Sequence, residues 1–130
     1  YYGENRGNPV AFARAAVEAG ASLVVGHGPH VLRAAEWQGG ALVAYSLGNL
    51  VTYGPFSNRD PLDRGAVLCA TLGPGGEVRD ALVHSTRQRR AGIVSFDPSG
   101  RALILVDSLA RLDFPRSGAR VVGEGWLDAP

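Results

Sequence analysis

The run Gly26-His27-Gly28-Pro29-His30 places two imidazoles three residues apart, directly after the short apolar stretch Ser22–Gly26. Neutral imidazole is a common ligand for divalent transition ions. Gly28 permits unusual backbone angles and Pro29 stiffens the turn, so the loop can hold both rings at one place. Two ligands do not make a catalytic ion site, which needs at least three protein donors or a bridging carboxylate. From the residues alone, a metal-ligating loop and a surface loop with two histidines both stand.

Other polar residues could act beside this loop. Ser46 and Asn49, in Tyr45-Ser46-Leu47-Gly48-Asn49, end a strand-like run and could orient substrate or the histidine loop; equally, they could simply terminate the strand, with Gly48 as the turn. Glu36 could support a ligand, but is expected on the solvent side of a hairpin. Ser46 lacks the Gly-x-Ser-x-Gly frame of a nucleophile elbow. Cys69 lies in the apolar run Ala66–Leu72 and is expected to be a buried structural thiol. His84, at the end of another apolar run, reads as structural or exposed. Trp37 and Trp126 read as packing residues. Arg87, Arg89 and Arg90 form a short basic patch that could bind an anionic polymer, but a solvated loop is the expectation.

The elements that must position these groups follow from pattern. Asn8-Pro9 reads as a helix start, and Val10, Phe12, Ala13, Ala16 and Val17 give that helix an apolar face ending at Gly20. The apolar stretch at 22–26 follows as a strand, a helix-to-strand step typical of α/β proteins. Val31–Gln38 and Ala41–Leu47 flank Gly39-Gly40, a two-residue hairpin signal. Ala66–Leu72 and Val78–Ser85 flank Gly73-Pro74-Gly75-Gly76 and predict a second hairpin. Residues 53–65 read as a loop. Arg101–Leu112 predicts a helix with Leu103, Val106, Leu109 and Ala110 on one face, Ser99 as its candidate cap and Asp113-Phe114-Pro115 as its stop. Val121–Trp126 is expected as a final edge strand.

Composition bounds the function. The chain has 130 residues and a formal net charge of +1, which gives no electrostatic case for nucleic acid. Apolar residues at 45% can build a core, and no apolar run reaches the length of a membrane span. One cysteine excludes an intrachain disulfide and a cysteine zinc cage. All 13 basic residues are arginine and there are only two isoleucines. Methionine is absent even at position 1, so the chain is expected to begin inside a longer product or after processing.

The helix ending in Glu18-Ala19-Gly20-Ala21, then Gly26-His27-Gly28-Pro29-His30-Val31, Glu36 and Tyr45-Ser46-Leu47-Gly48-Asn49-Leu50, together closely resemble the C-terminal half of the bacterial capsule synthesis CapA family, linked to poly-γ-glutamate capsules. Gly3–Asn8 fits a subgroup, and Arg111–Pro115 resembles the family's tail. The resemblance is strongest over residues 3–55. It implies an α/β fold: the C-terminal part of a layered, calcineurin-type metallophosphoesterase-like sandwich, with two hairpins and flanking helices. Residues 1–130 would be the C-terminal fragment of one such domain.

The resemblance further implies a two-metal hydrolase or transferase site. His27 and His30 would be metal ligands, corresponding to a Gly-His-x-His-type motif that here carries one extra residue between the histidines. Ser46, Asn49 and Glu36 would be substrate-binding or supporting residues. The Asp-x-His, Gly-Asp and Gly-Asn-(His/Asp/Glu) motifs of such domains are absent from the chain, so the missing N-terminal part of the same protein would supply them. An anionic polymer or a phosphoester or acyl compound would be the substrate, and the cell envelope the location. The alternative is a non-catalytic capsule polymer assembly, export or binding component on the same fold.

Overall fold

The computed structural model describes residues 7–53, 59–90 and 92–130, with only the backbone of residue 90. Helix α1 (Pro9–Glu18) begins as its sequence dictates. Asn8 Oδ1 accepts the Ala11 N–H at 3.0 Å, and Pro9 occupies the first helical position, where no intrahelical N–H is needed. Ala13 is its one fully buried residue, and Phe12 is 71% exposed rather than sharing the inward face.

Strand β1 (Leu23–Val25) follows α1. It runs parallel to β3 (Ala41–Ala44), which pairs antiparallel with β2 (Ala35–Gln38). The order β1-β3-β2 leaves β1 at an edge. Gly39 and Gly40, at φ +56° and +91°, make the expected tight turn. All four residues of β3 are buried, because both faces of this sheet are covered.

The second sheet is built from β4 (Arg64–Leu72), β5 (Val78–Arg90), β6 (Ile93–Phe96), β7 (Arg120–Val122) and β8 (Trp126–Asp128). Helix α2 (Arg101–Asp113) packs on it. A single core joins Leu32, Ala35 and Leu42 of the first sheet region to Ala66, Ala81 and Val83 of the second. Ala102 and Val106 of α2, with Ala119 and Leu127, complete it. Alanines let the layers approach closely, while Leu32, Leu42 and Leu127 fill the remaining volume.

The mixed α/β class, with two sheets, two helices and the two expected hairpins, agrees with the sequence reading. Four details differ. Residues 87–90 continue β5 rather than entering a loop, because β4 and then β6 supply partners for their backbone. The segment near Val121–Trp126 is a hairpin, β7 and β8 joined around Gly123–Gly125, not one strand. Cys69 is exposed, because alternation along β4 turns Ala66 and Leu68 toward the core and Cys69, opposite Leu82, to the outer face. Trp126 is 45% exposed on β8 instead of packed inside. Among the described residues no helix is long and apolar enough to cross a membrane.

Candidate functional site

The histidine loop leaves the C-terminal end of β1, the end at which open α/β sheets place their sites. Gly26 N–H still donates to the Ala44 carbonyl at 2.8 Å, so the loop departs from a fixed point. His27 is exposed on the wall of a cleft of about 900 Å³ between α1 and the first sheet. Phe12, Val24, Val43, Tyr45 and Arg33 also line it.

His30 is half-buried and sits at φ +58°, the one non-glycine residue in the left-handed region among the described residues. A side chain held there costs about 1–3 kcal/mol and needs surrounding structure to maintain it. Asn49 provides that. Its Oδ1 lies 2.8 Å from His30 Nδ1, and its Nδ2 donates to the His30 carbonyl at 3.2 Å. The second bond fixes which end of the amide faces the ring. The oxygen faces Nδ1, so Nδ1 carries a proton, and in the neutral ring Nε2 bears the lone pair. This tautomer, set by a hydrogen bond to the opposite ring nitrogen, is how proteins prepare a histidine ligand.

The neighbouring backbone locks the two segments together. Arg33 N–H donates to the Ser46 carbonyl at 3.0 Å, and Leu32 and Leu47 form an antiparallel bridge. Ser46 is 3% exposed, and its hydroxyl accepts the Gly48 N–H at 3.3 Å, shaping the turn that delivers Asn49.

Glu36 is not on the solvent side of its hairpin. It is 3% exposed, and residues 117–119, just before β7, pair with β2 at this point. It accepts hydrogen bonds from Tyr45 Oη at 2.5 Å, Gln38 Nε2 at 2.6 Å and Ser117 Oγ at 2.6 Å. Burial, reinforced by the Glu36 hydrogen bond and charge, pushes the Tyr45 phenol well above its ordinary pKa. Tyr45 also stacks on Phe114, with ring centroids 5.1 Å apart. Glu36 therefore braces the cleft wall through Tyr45. His84 lies mid-strand opposite Val67, and the Arg87 guanidinium is committed to the buried Asp63 at 2.6 Å.

The structure thus joins His30 to Asn49, puts Ser46 in their turn, leaves His27 on the cleft and sends Glu36 to a separate network. Among the described residues no group of three or more His, Cys, Asp or Glu side chains could hold an ion. The donor chemistry of the two imidazoles fits a divalent transition ion, and the donor count within the described residues is below a full set. Sequence reasoning missed Tyr45 as a cleft residue, and no local signal marks it. Of the sequence expected to match, 3–6 and 54–55 lie outside the described residues.

The model of the family described as bacterial capsule synthesis protein PGA_cap matches residues 4–53, which hold α1, the first sheet, both loop histidines and Asn49. Over this stretch the chain is similar to the bacterial capsule synthesis family. The chain is also similar to the PGA biosynthesis protein CapA of Bacillus subtilis (strain 168), 54% identical over 39 residues, 30% of this chain. That match spans only 10% of the relative's length. The second sheet and α2 lie beyond the stretch that the family model covers.

Proposed function

We propose that this chain contributes the histidine loop of a metal-dependent, phosphoesterase-like hydrolase within a capsule biosynthesis protein. The observation that supports this reading is the double hold of Asn49 on His30, which keeps the Nδ1 proton in place and turns Nε2 into the ligand nitrogen. His30 and His27 would hold one side of a two-ion centre, and donors from outside the described residues would complete it. When bound, the ions supply Lewis-acid polarisation of a phosphoryl or acyl oxygen and acidify water.

The chain's own groups do the rest. Arg33 lines the cleft, an arginine suits an anionic group of a substrate, and a polyanion such as poly-γ-glutamate is the substrate class proposed. Tyr45, kept neutral by burial and by Glu36, presents a fixed phenol wall. The cell envelope is the proposed location.

The test is metal content and phosphodiester hydrolysis of the whole protein with His27→Ala and with His30→Ala. Both variants are expected to lose metal, and activity should fall at least tenfold. Unchanged metal content in both, with capsule polymer still bound, would overturn the hydrolase reading and leave a non-catalytic binding or assembly component.

A further inference from the structure

We infer that Gly65 is a positioning residue for the His30 imidazole, acting through Asn49. Gly65 is the second residue of β4, in the other sheet and beyond the stretch that defines the family match. It forms an isolated antiparallel bridge with Gly48, and the next residue, Ala66, donates its N–H to the Leu47 carbonyl at 2.9 Å. The turn that carries Asn49 therefore rests on the start of β4.

The contact has no room for a side chain on either strand. A Cβ at Gly65 would fall inside contact distance of the Asn49 carbonyl oxygen. On its other side the same Cβ would meet Thr86 Oγ1 at 3.0 Å, and Thr86 is buried on β5 directly opposite in register. A Cβ at Gly48 would lie 2.8 Å from the Arg64 carbonyl oxygen, in a residue already at φ +70°. The nearer obstacle at Gly65 is backbone, so a methyl there must shift the Asn49 backbone, the start of β4 or both.

That displacement reaches His30. The Asn49 amide makes both bonds that fix the ring tautomer and satisfy the carbonyl of a residue in the left-handed region. Hydrogen bonds weaken steeply with lost alignment, so a shift of a few tenths of an ångström to one ångström loosens both together. The second sheet thereby sets the presentation of a histidine on the first. The consequence for metal binding rests on the function proposed above; the positioning itself does not.

The test reads the His30 ring tautomer by nitrogen NMR in the whole protein carrying 15N-histidine, with the signal assigned by His30→Gln. Metal uptake is measured in parallel. Wild type is expected to hold the Nδ1–H form. Gly65→Ala, read where it remains folded, should lower the ratio of Nδ1–H to Nε2–H at least threefold. Leu68→Ala, a core truncation on the same strand that does not touch Asn49, should leave it unchanged. In an Asn49→Ala background, Gly65→Ala should add nothing. If Gly65→Ala does not fold, Thr86→Ala removes the side chain opposite Gly65 in register without adding a clash and should move the ratio in the same direction. An unchanged tautomer ratio in the folded variant overturns the positioning role, whatever the metal content. A shifted ratio with unchanged metal uptake sustains it and overturns the metal reading.

Discussion

Asn49 holds His30 at two points, accepting from the ring Nδ1 at 2.8 Å and donating to the backbone carbonyl at 3.2 Å. One short amide thus fixes both the proton position on an imidazole and the left-handed backbone that aims it. Asparagine is suited to this, because it offers a donor and an acceptor on one planar group.

Asn49→Ala removes both contacts at once. If His30 is a ligand, metal affinity should fall by about 10- to 100-fold, the range for loss of a supporting hydrogen bond to a ligating histidine. Asn49→Asp should retain more affinity, since a carboxylate still accepts from Nδ1 but cannot donate to the His30 carbonyl. Metal titration followed by calorimetry checks the order wild type, Asp, Ala. Equal affinity for all three would separate the clamp from metal binding.

Asp97 organises the start of α2. Gly100 at the N-cap offers no side chain, and Asp97 accepts from the Ser99 N–H at 3.2 Å and the Arg101 N–H at 3.3 Å. Burial works to raise its pKa, but these bonds and the Ser99 hydroxyl outweigh it, so the carboxyl titrates below its ordinary value. A folded-state pKa below the unfolded one gives stability that is full above about pH 3.9 and is lost as pH falls through the folded value. Asp97→Ala should cost about 1–2 kcal/mol at neutral pH, as for a lost helix cap, and flatten this part of the acid dependence. Thermal melts at neutral and acid pH measure both effects.

Asp63 is 1% exposed, and among the described residues its one ionic partner is Arg87, at 2.6 Å. Its other carboxylate oxygen is buried and has no hydrogen-bond partner among the described residues. Arg87→Ala would strand this charge. The expected cost is about 2–3 kcal/mol, below the value for a fully buried pair because Arg87 is 41% exposed and partly screened. Asp63→Asn in the same background should recover part of the loss. Denaturant midpoints of the two variants decide it.

The sequence was most informative where local chemistry decides the structure. Asn8-Pro9 capped α1, Gly39-Gly40 turned the first hairpin, and the glycine-histidine loop followed β1. It was less informative where pairing decides. Cys69 sat in a run that looked uniformly buried, yet only the register of β4 on β5 reveals that it faces outward. Arg87 read as part of a solvated patch, because its buried partner is 24 residues away in sequence. Ser99 was the expected cap of α2, and the Asp97 carboxylate does more of the work. Asn49 could be placed near the histidine loop, but its two-point hold depends on a turn in which Gly48, after β3, bridges Gly65 of β4 in the other sheet. Glu36 was misplaced because the residues covering it, Ser117 and Gly118, return from after α2.

Glu36 gives the final prediction. Its carboxylate gathers three donors, from β2, from Tyr45 just after β3 and from the turn before β7. Glu36→Ala would leave buried donors without an acceptor, a cost of about 2–4 kcal/mol if two of the three stay dry. Glu36→Gln keeps the shape but replaces an acceptor oxygen with a donor and removes the charge. Burial and Glu36 both hold the Tyr45 pKa up, so its ionisation should begin at lower pH in either variant. The sign for stability follows from the raised folded-state pKa. The contribution is full below about pH 10, the ordinary tyrosine value, and is lost as pH rises toward the higher folded value. Tyrosinate absorbance during an alkaline titration reads this directly. Unchanged onset in Glu36→Gln would mean burial alone sets the phenol's acidity, and that the carboxylate braces the cleft by geometry rather than by charge.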